Sequence, residues 1–209
     1  DNKFTNLRDR HELYCAGHLL ESAIEHHKAT GNPKFFDAME RYIDHIISKF
    51  GREEGKMRGY PGHQEIEMAL VKAYEHTNKQ KFLDLATYFI DERGTHNSPE
   101  DHYYVKEKKK LHEKEGDIDM SLLPSNMRDF MQFDADFMGK TFRDLHYWQA
   151  HQRPVEQKTA EGHSVRALYM FTAMADLARL NNDDEMLTAC KTLWRNIVDK
   201  RMYVHSGVG

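Results

Sequence analysis

Disulfide scaffolding is excluded at once, because the 209 residues contain two cysteines, Cys15 and Cys190, each in its own expected helix. Proline is scarce at 5 residues, which leaves room for long uninterrupted helices. No apolar run approaches 18 residues, so no membrane-spanning helix is expected. Charge of one sign is missing too. Thirty Lys and Arg against 34 Asp and Glu give a net −4, with no footprint for nucleic acid. The longest basic stretch, Lys106 to Lys110, is interrupted by Glu107 and reads as a solvated surface run. Asp1-Asn2-Lys3-Phe4 is neither a signal peptide nor an initiator start, and Tyr203 to Gly209 ends without a capping element. Both ends are therefore expected to be cut, and no compartment is assigned.

What is present is a soluble globular balance of 39% hydrophobic and 31% charged residues, enough for one domain with a core. His (14), Phe (11) and Tyr (10) are numerous. Internal repetition is the strongest signal. A Gly-His pair precedes an apolar helical stripe three times: Gly17-His18, Gly62-His63 and Gly162-His163. Each stripe meets a polar break containing Asn, at Gly31-Asn32-Pro33, Thr77-Asn78 and Asn181-Asn182. A second helical pattern follows each break. The unit is helix, short turn, helix, and short turns make antiparallel neighbours. The expected fold is all-α: an incomplete (α/α)6 toroid built of αα-hairpin repeats, spanning residues 1–209. Its inner helices would present histidines on one rim. Residues 95 to 150 break the rhythm and read as an inserted excursion with at least one short helix, near Met127 to Leu145. Its Tyr103, Tyr104, Phe130, Phe133, Phe137 and Trp148 would form a subsite wall or simply pack onto the barrel.

Three polar clusters could carry chemistry. In the first, His11, Cys15 and His18 are spaced i, i+4, i+7 and share one helix face. His with Cys suits zinc, yet three ligands along one helix rarely converge on one tetrahedral ion. Cys15 as a nucleophile would need a base beside it, and the plainer reading is a small buried hydrophobe. In the second, Tyr60-Pro61 leads into His63, Gln64 and Glu65, expected in the first turn of a helix whose free N–H groups suit hydroxyl-rich ligands or plain capping. The third runs from Tyr147 through His151, Gln149 and Gln157 to His163. Aromatic faces with amide and imidazole groups are what a sugar site uses. A glycosidase also needs two spaced carboxyl groups. Glu12, Glu65, Glu67 and Glu161 are present, but no spacing singles out a pair.

His11-Glu-Leu-Tyr-Cys-Ala-Gly-His18, Tyr60-Pro-Gly-His-Gln-Glu-Ile-Glu67, Ala150-His151 with Pro154-Val155 and Gln157, and Gly162-His-Ser-Val-Arg-Ala167 resemble glycoside hydrolase family 127, the β-L-arabinofuranosidases and their relatives. Lys200 to Val204 and Ser206 to Gly209 fit the same pattern. The resemblance implies an (α/α)6 barrel and retaining hydrolysis by a Cys nucleophile held on zinc, with a separate Glu as acid/base. It places those groups downstream of Gly209, so this chain is expected to hold no catalytic residue and to bind no zinc. It implies a carbohydrate partner, an L-arabinofuranoside-type glycan. It carries over a sugar-binding set: His63 and His163, with His11 or His18 from the first motif and Gln64 beside them. An unfinished barrel also exposes an edge through which chains would self-associate. The alternative is a helical-repeat binding or scaffold module without catalysis.

Overall fold

The computed structural model describes residues 3–8, 10–95 and 144–209. Helices dominate these residues, as α1 (Glu12–Thr30), α2 (Lys34–Lys49), α3 (Ile66–Thr77), α4 (Gln80–Glu92), α5 (Ser164–Asn181) and α6 (Asp184–Lys200). A 3-10 turn, Pro154–Glu156, precedes α5. The excursion's aromatics other than Trp148 lie outside the described residues.

The six helices pair as three antiparallel hairpins, and the expected all-α hairpin architecture is what the chain adopts. Each inner helix stops at a left-handed residue: Gly31 (φ 70°), Asn78 (φ 57°) and Asn182 (φ 53°). Glycine and asparagine tolerate that backbone best, so the chain turns where they stand. α1 packs on α3 and α3 on α5, while α2, α4 and α6 each back their own partner. The outer helices are strongly amphipathic, with one apolar stripe each. The inner helices are buried more nearly all round and are rich in small residues, such as Ala69 and Ala73 on α3 and Ala167, Ala173 and Ala178 on α5. Small side chains let three helices lie side by side and still be covered from outside. α6 is capped by Asp183, whose carboxylate accepts the Met186 N–H at 2.9 Å.

Two buried charges stitch loops to this frame. Glu92, at the end of α4, accepts Arg52 Nε at 2.9 Å and Arg58 Nε at 2.7 Å, closing the 51–60 loop. Arg93 has no exposed surface. It donates to the carbonyls of Trp148 (3.0 Å) and Pro61 (2.7 Å), stacks 4.6 Å over Tyr60 and lies 3.7 Å from the Glu67 carboxylate. One guanidinium thus fixes both loops that lead into α3 and α5.

Candidate functional site

The loops pinned by Arg93 deliver histidines to one end of the inner helices. His11 is the residue immediately before α1, His63 lies three residues before α3, and His163 is the N-cap of α5. The three rings meet. His63 is 5.7 Å from His11 and 5.8 Å from His163, centroid to centroid. Tyr14, one turn into α1, packs against His11 (5.6 Å), His18 (4.4 Å) and His63 (4.6 Å). Tyr169 of α5 approaches His63 at 5.9 Å, and its hydroxyl bonds that of Tyr14. Tyr147 closes the far side, 5.7 Å from His163.

Two features of the cluster are set chemically. Burial lowers the His63 pKa to about 4, and the neighbouring Arg166 guanidinium pushes the same way, as would any charge on the His11 and His163 rings. Burial also lowers that of His163. These imidazoles are neutral near pH 7. Their tautomers differ. His63 Nδ1 lies 2.8 Å from the Gln64 carbonyl, which can only accept, so Nδ1 carries the proton and Nε2 is a bare acceptor. His163 Nδ1 accepts the Arg166 N–H at 3.5 Å, which leaves the proton on Nε2. The pair therefore offers one acceptor and one donor.

Beneath the rim lies Glu65, the N-cap of α3, with no exposed surface. Burial pushes its carboxyl up to about 9, and the nearby Glu21 and Glu67 carboxylates push it further the same way. The carboxyl rests on Gly17, where any Cβ would overlap it and would sit 2.8 Å from the Ile66 Cα. Glu67 is also buried; burial raises its pKa, and its Oε2 accepts the Glu65 N–H at 3.0 Å.

Several expectations are corrected by this geometry. Gly17-His18 does not open a helix, because α1 begins at Glu12 and the pair lies within its second turn. His11 is the positional equivalent of His163. His18 still touches the cluster, edge-on to Tyr14, with Nδ1 3.4 Å from Glu65 Oε1. His63 and Gln64 precede α3 instead of forming its first turn. Gln64 turns into the core, donating to Gln149 Oε1 at 3.0 Å and lying 3.8 Å from the Met170 sulfur. Gln149 in turn donates to the Glu161 carbonyl (2.8 Å), and Gln157 donates to the Gln149 carbonyl (3.0 Å). These amides, expected on a sugar rim, hold the 144–163 segment against α3. Gly162 allows that packing. Its φ of 75° and the His146 carbonyl against it exclude a Cβ. Cys15 is exposed, not a buried hydrophobe. Sequence reasoning missed Tyr14 and Tyr169 as members of the cluster. Tyr14 sits three residues after His11, a spacing that shares a helix face, whereas Tyr169 was hidden in the apolar stripe.

A sequence model of the β-L-arabinofuranosidase GH127 catalytic domain matches residues 1–209. The non-reducing end β-L-arabinofuranosidase of Bifidobacterium longum subsp. longum is 35% identical over 207 residues, 99% of this chain and 28% of that protein. A solved GH127 β-L-arabinofuranosidase from Geobacillus stearothermophilus T6 covers the whole chain with a TM-score of 0.80 at 43% identity, over 29% of its own length. A second solved GH127 β-arabinofuranosidase gives 0.75 at 32% identity over 26% of its length. The chain spans less than a third of the length of these relatives.

Proposed function

The chain belongs to the glycoside hydrolase family 127 catalytic-domain family, and from that premise we propose that its histidine cluster is the sugar-binding part of a larger retaining β-L-arabinofuranosidase-type enzyme. One observation carries the reading: histidines from three separate hairpins converge beside two tyrosine rings, and two of them, His63 and His163, are neutral with opposed tautomers. His63 Nε2 accepts a hydrogen bond from a sugar hydroxyl, and His163 Nε2–H donates to a hydroxyl oxygen. Tyr14 and Tyr169 present ring faces to apolar C–H surface. His11 flanks His63 from one side, and His18 stands behind Tyr14. Neutral imidazoles suit an uncharged pentose and cost less to desolvate than imidazolium would. The His63 contact should stay flat from about pH 5.5 to 8, since that imidazole titrates near 4.

The chemistry of bond cleavage is assigned elsewhere in the parent. Residues of this chain do not fit the cysteine-held zinc that the family resemblance implies. Cys15 is exposed, and burial pushes the Cys190 thiol up to about 11. Neither joins the clustered His and Glu ligand atoms among the described residues. The apolar flank of α5 and α6, with Trp194 62% exposed beside Leu168 and Val198, supports self-association of the isolated chain.

The test is hydrolysis of an aryl β-L-arabinofuranoside by this chain, beside a version carrying the further length of its relatives. Turnover only in the longer protein, with sugar affinity falling about tenfold or more in His63→Ala, supports the reading. Turnover by the short chain, abolished by Cys15→Ala, would overturn it. No sugar binding by either would favour the scaffold reading.

A further inference from the structure

The buried Glu65 carboxyl is not accounted for by the sugar-binding cluster. Neither of its oxygens accepts a hydrogen bond, although no part of the residue is exposed. In its acid form the carboxyl shares its proton with the Glu21 carboxylate, a proton that a cation between the two acids would replace. It faces α1, where His18 and Glu21 stand one turn apart. His18 Nδ1 lies 3.4 Å from Glu65 Oε1 and 3.7 Å from Glu21 Oε2. One ligand atom from each of the three residues lies within 4.8 Å of the other two. The Lys72 ammonium pairs with the other Glu21 oxygen, Oε1, and leaves Oε2 turned toward His18. We propose that His18, Glu21 and Glu65 form a binding site for a divalent transition-metal ion that ties α1 to α3 beneath the histidine cluster.

The donor set selects the ion. One imidazole nitrogen and two carboxylate oxygens match the borderline divalent ions from Mn²⁺ to Zn²⁺. Ca²⁺ and Mg²⁺ take oxygen almost alone, in six or more positions. Soft monovalent copper requires thiolate or thioether, and neither is among the donors. Three protein ligands leave an open position toward the half-exposed His18 side. Gly17 explains why the site is kept compact, because only a residue without Cβ lets the Glu65 carboxyl reach α1. Lys72 is a rival for Glu21, since its charge opposes an incoming cation. The site has no cysteine and does not depend on the sugar-binding reading. Its ion would orient His18, which in turn supports the Tyr14 face.

Mn²⁺ is the probe, titrated into the chain and followed by electron paramagnetic resonance. One ion per chain is expected. Glu65→Gln keeps the shape of the acid and should weaken Mn²⁺ binding by at least roughly tenfold, a loss seen even for groups one shell out from a metal. Lys72→Met should strengthen it, because the competing ammonium is gone. Zn²⁺ should displace the bound Mn²⁺. Absence of any bound Mn²⁺, or binding unchanged in Glu65→Gln, overturns the proposal and leaves the carboxyl as a proton-holding group only. Sugar affinity measured in the same samples separates this outcome from failure of the sugar-binding reading, because His63→Ala should leave Mn²⁺ binding intact.

Discussion

Glu65→Gln should stabilise the metal-free chain at neutral pH, by an amount set by proton linkage. In the unfolded chain Glu65 titrates at the ordinary 4.5; in the fold burial raises it to about 9. A raised carboxyl pKa makes the folded state the tighter proton binder. Its contribution is fully present below pH 4.5 and is lost as pH climbs toward 9. At pH 7 the fold must hold a proton that the unfolded group gives up. The cost is the gap from 4.5 to 7, 2.5 units at about 1.36 kcal/mol each, or about 3.4 kcal/mol. Glutamine has nearly the shape of the neutral acid and carries no such cost. With chelator present, urea or thermal unfolding at pH 5, 6, 7 and 8 should show the variant gaining on the wild type. The gain should approach about 1.4 kcal/mol per pH unit and nearly vanish at pH 4.5. For a chain of this size, 3.4 kcal/mol corresponds to a Tm rise of roughly 7–14 °C. A variant no more stable than wild type at pH 8, with parallel pH profiles, would show that Glu65 is ionised in the fold and would refute the reasoning.

Three further substitutions probe the frame. Arg93→Met removes the donors to the Trp148 and Pro61 carbonyls and leaves Glu67 without its cation, so a loss of about 3–5 kcal/mol is expected in urea unfolding. The fluorescence of Trp148, now 1% exposed, should shift to the red as its loop loosens. Gly17→Ala forces a methyl into the Glu65 carboxyl and toward the Ile66 backbone, for a loss of about 1–3 kcal/mol that outweighs the helix propensity gained. Asp183→Ala removes the α6 cap and should cost about 1 kcal/mol; Asp183→Asn should restore most of it.

The parts of this molecule that could be read from sequence are those where one residue type answers one physical need. Gly31, Asn78 and Asn182 mark the hairpin turns because a left-handed residue must end each inner helix. The outer helices betray themselves by a single apolar stripe, whereas the inner ones lack that contrast because other helices cover them on more than one side. His63 and His163 could be found because the repeat places them alike at the approach to an inner helix. The same letter-matching misled at Gly17-His18. There the glycine serves the Glu65 carboxyl, and the true counterpart in the repeat is His11, which no glycine precedes. Glutamines were the least legible. Gln64, Gln149 and Gln157 carry the groups a sugar site would use, yet they spend them on each other and on backbone carbonyls. An amide's partner depends on which way a loop turns, and that turn is fixed by Arg93, reaching from the end of α4 to residues 32 and 55 positions away. Local pattern names the side chains of a pocket, but the long-range contact that orients its loops decides which of them are left over for a ligand.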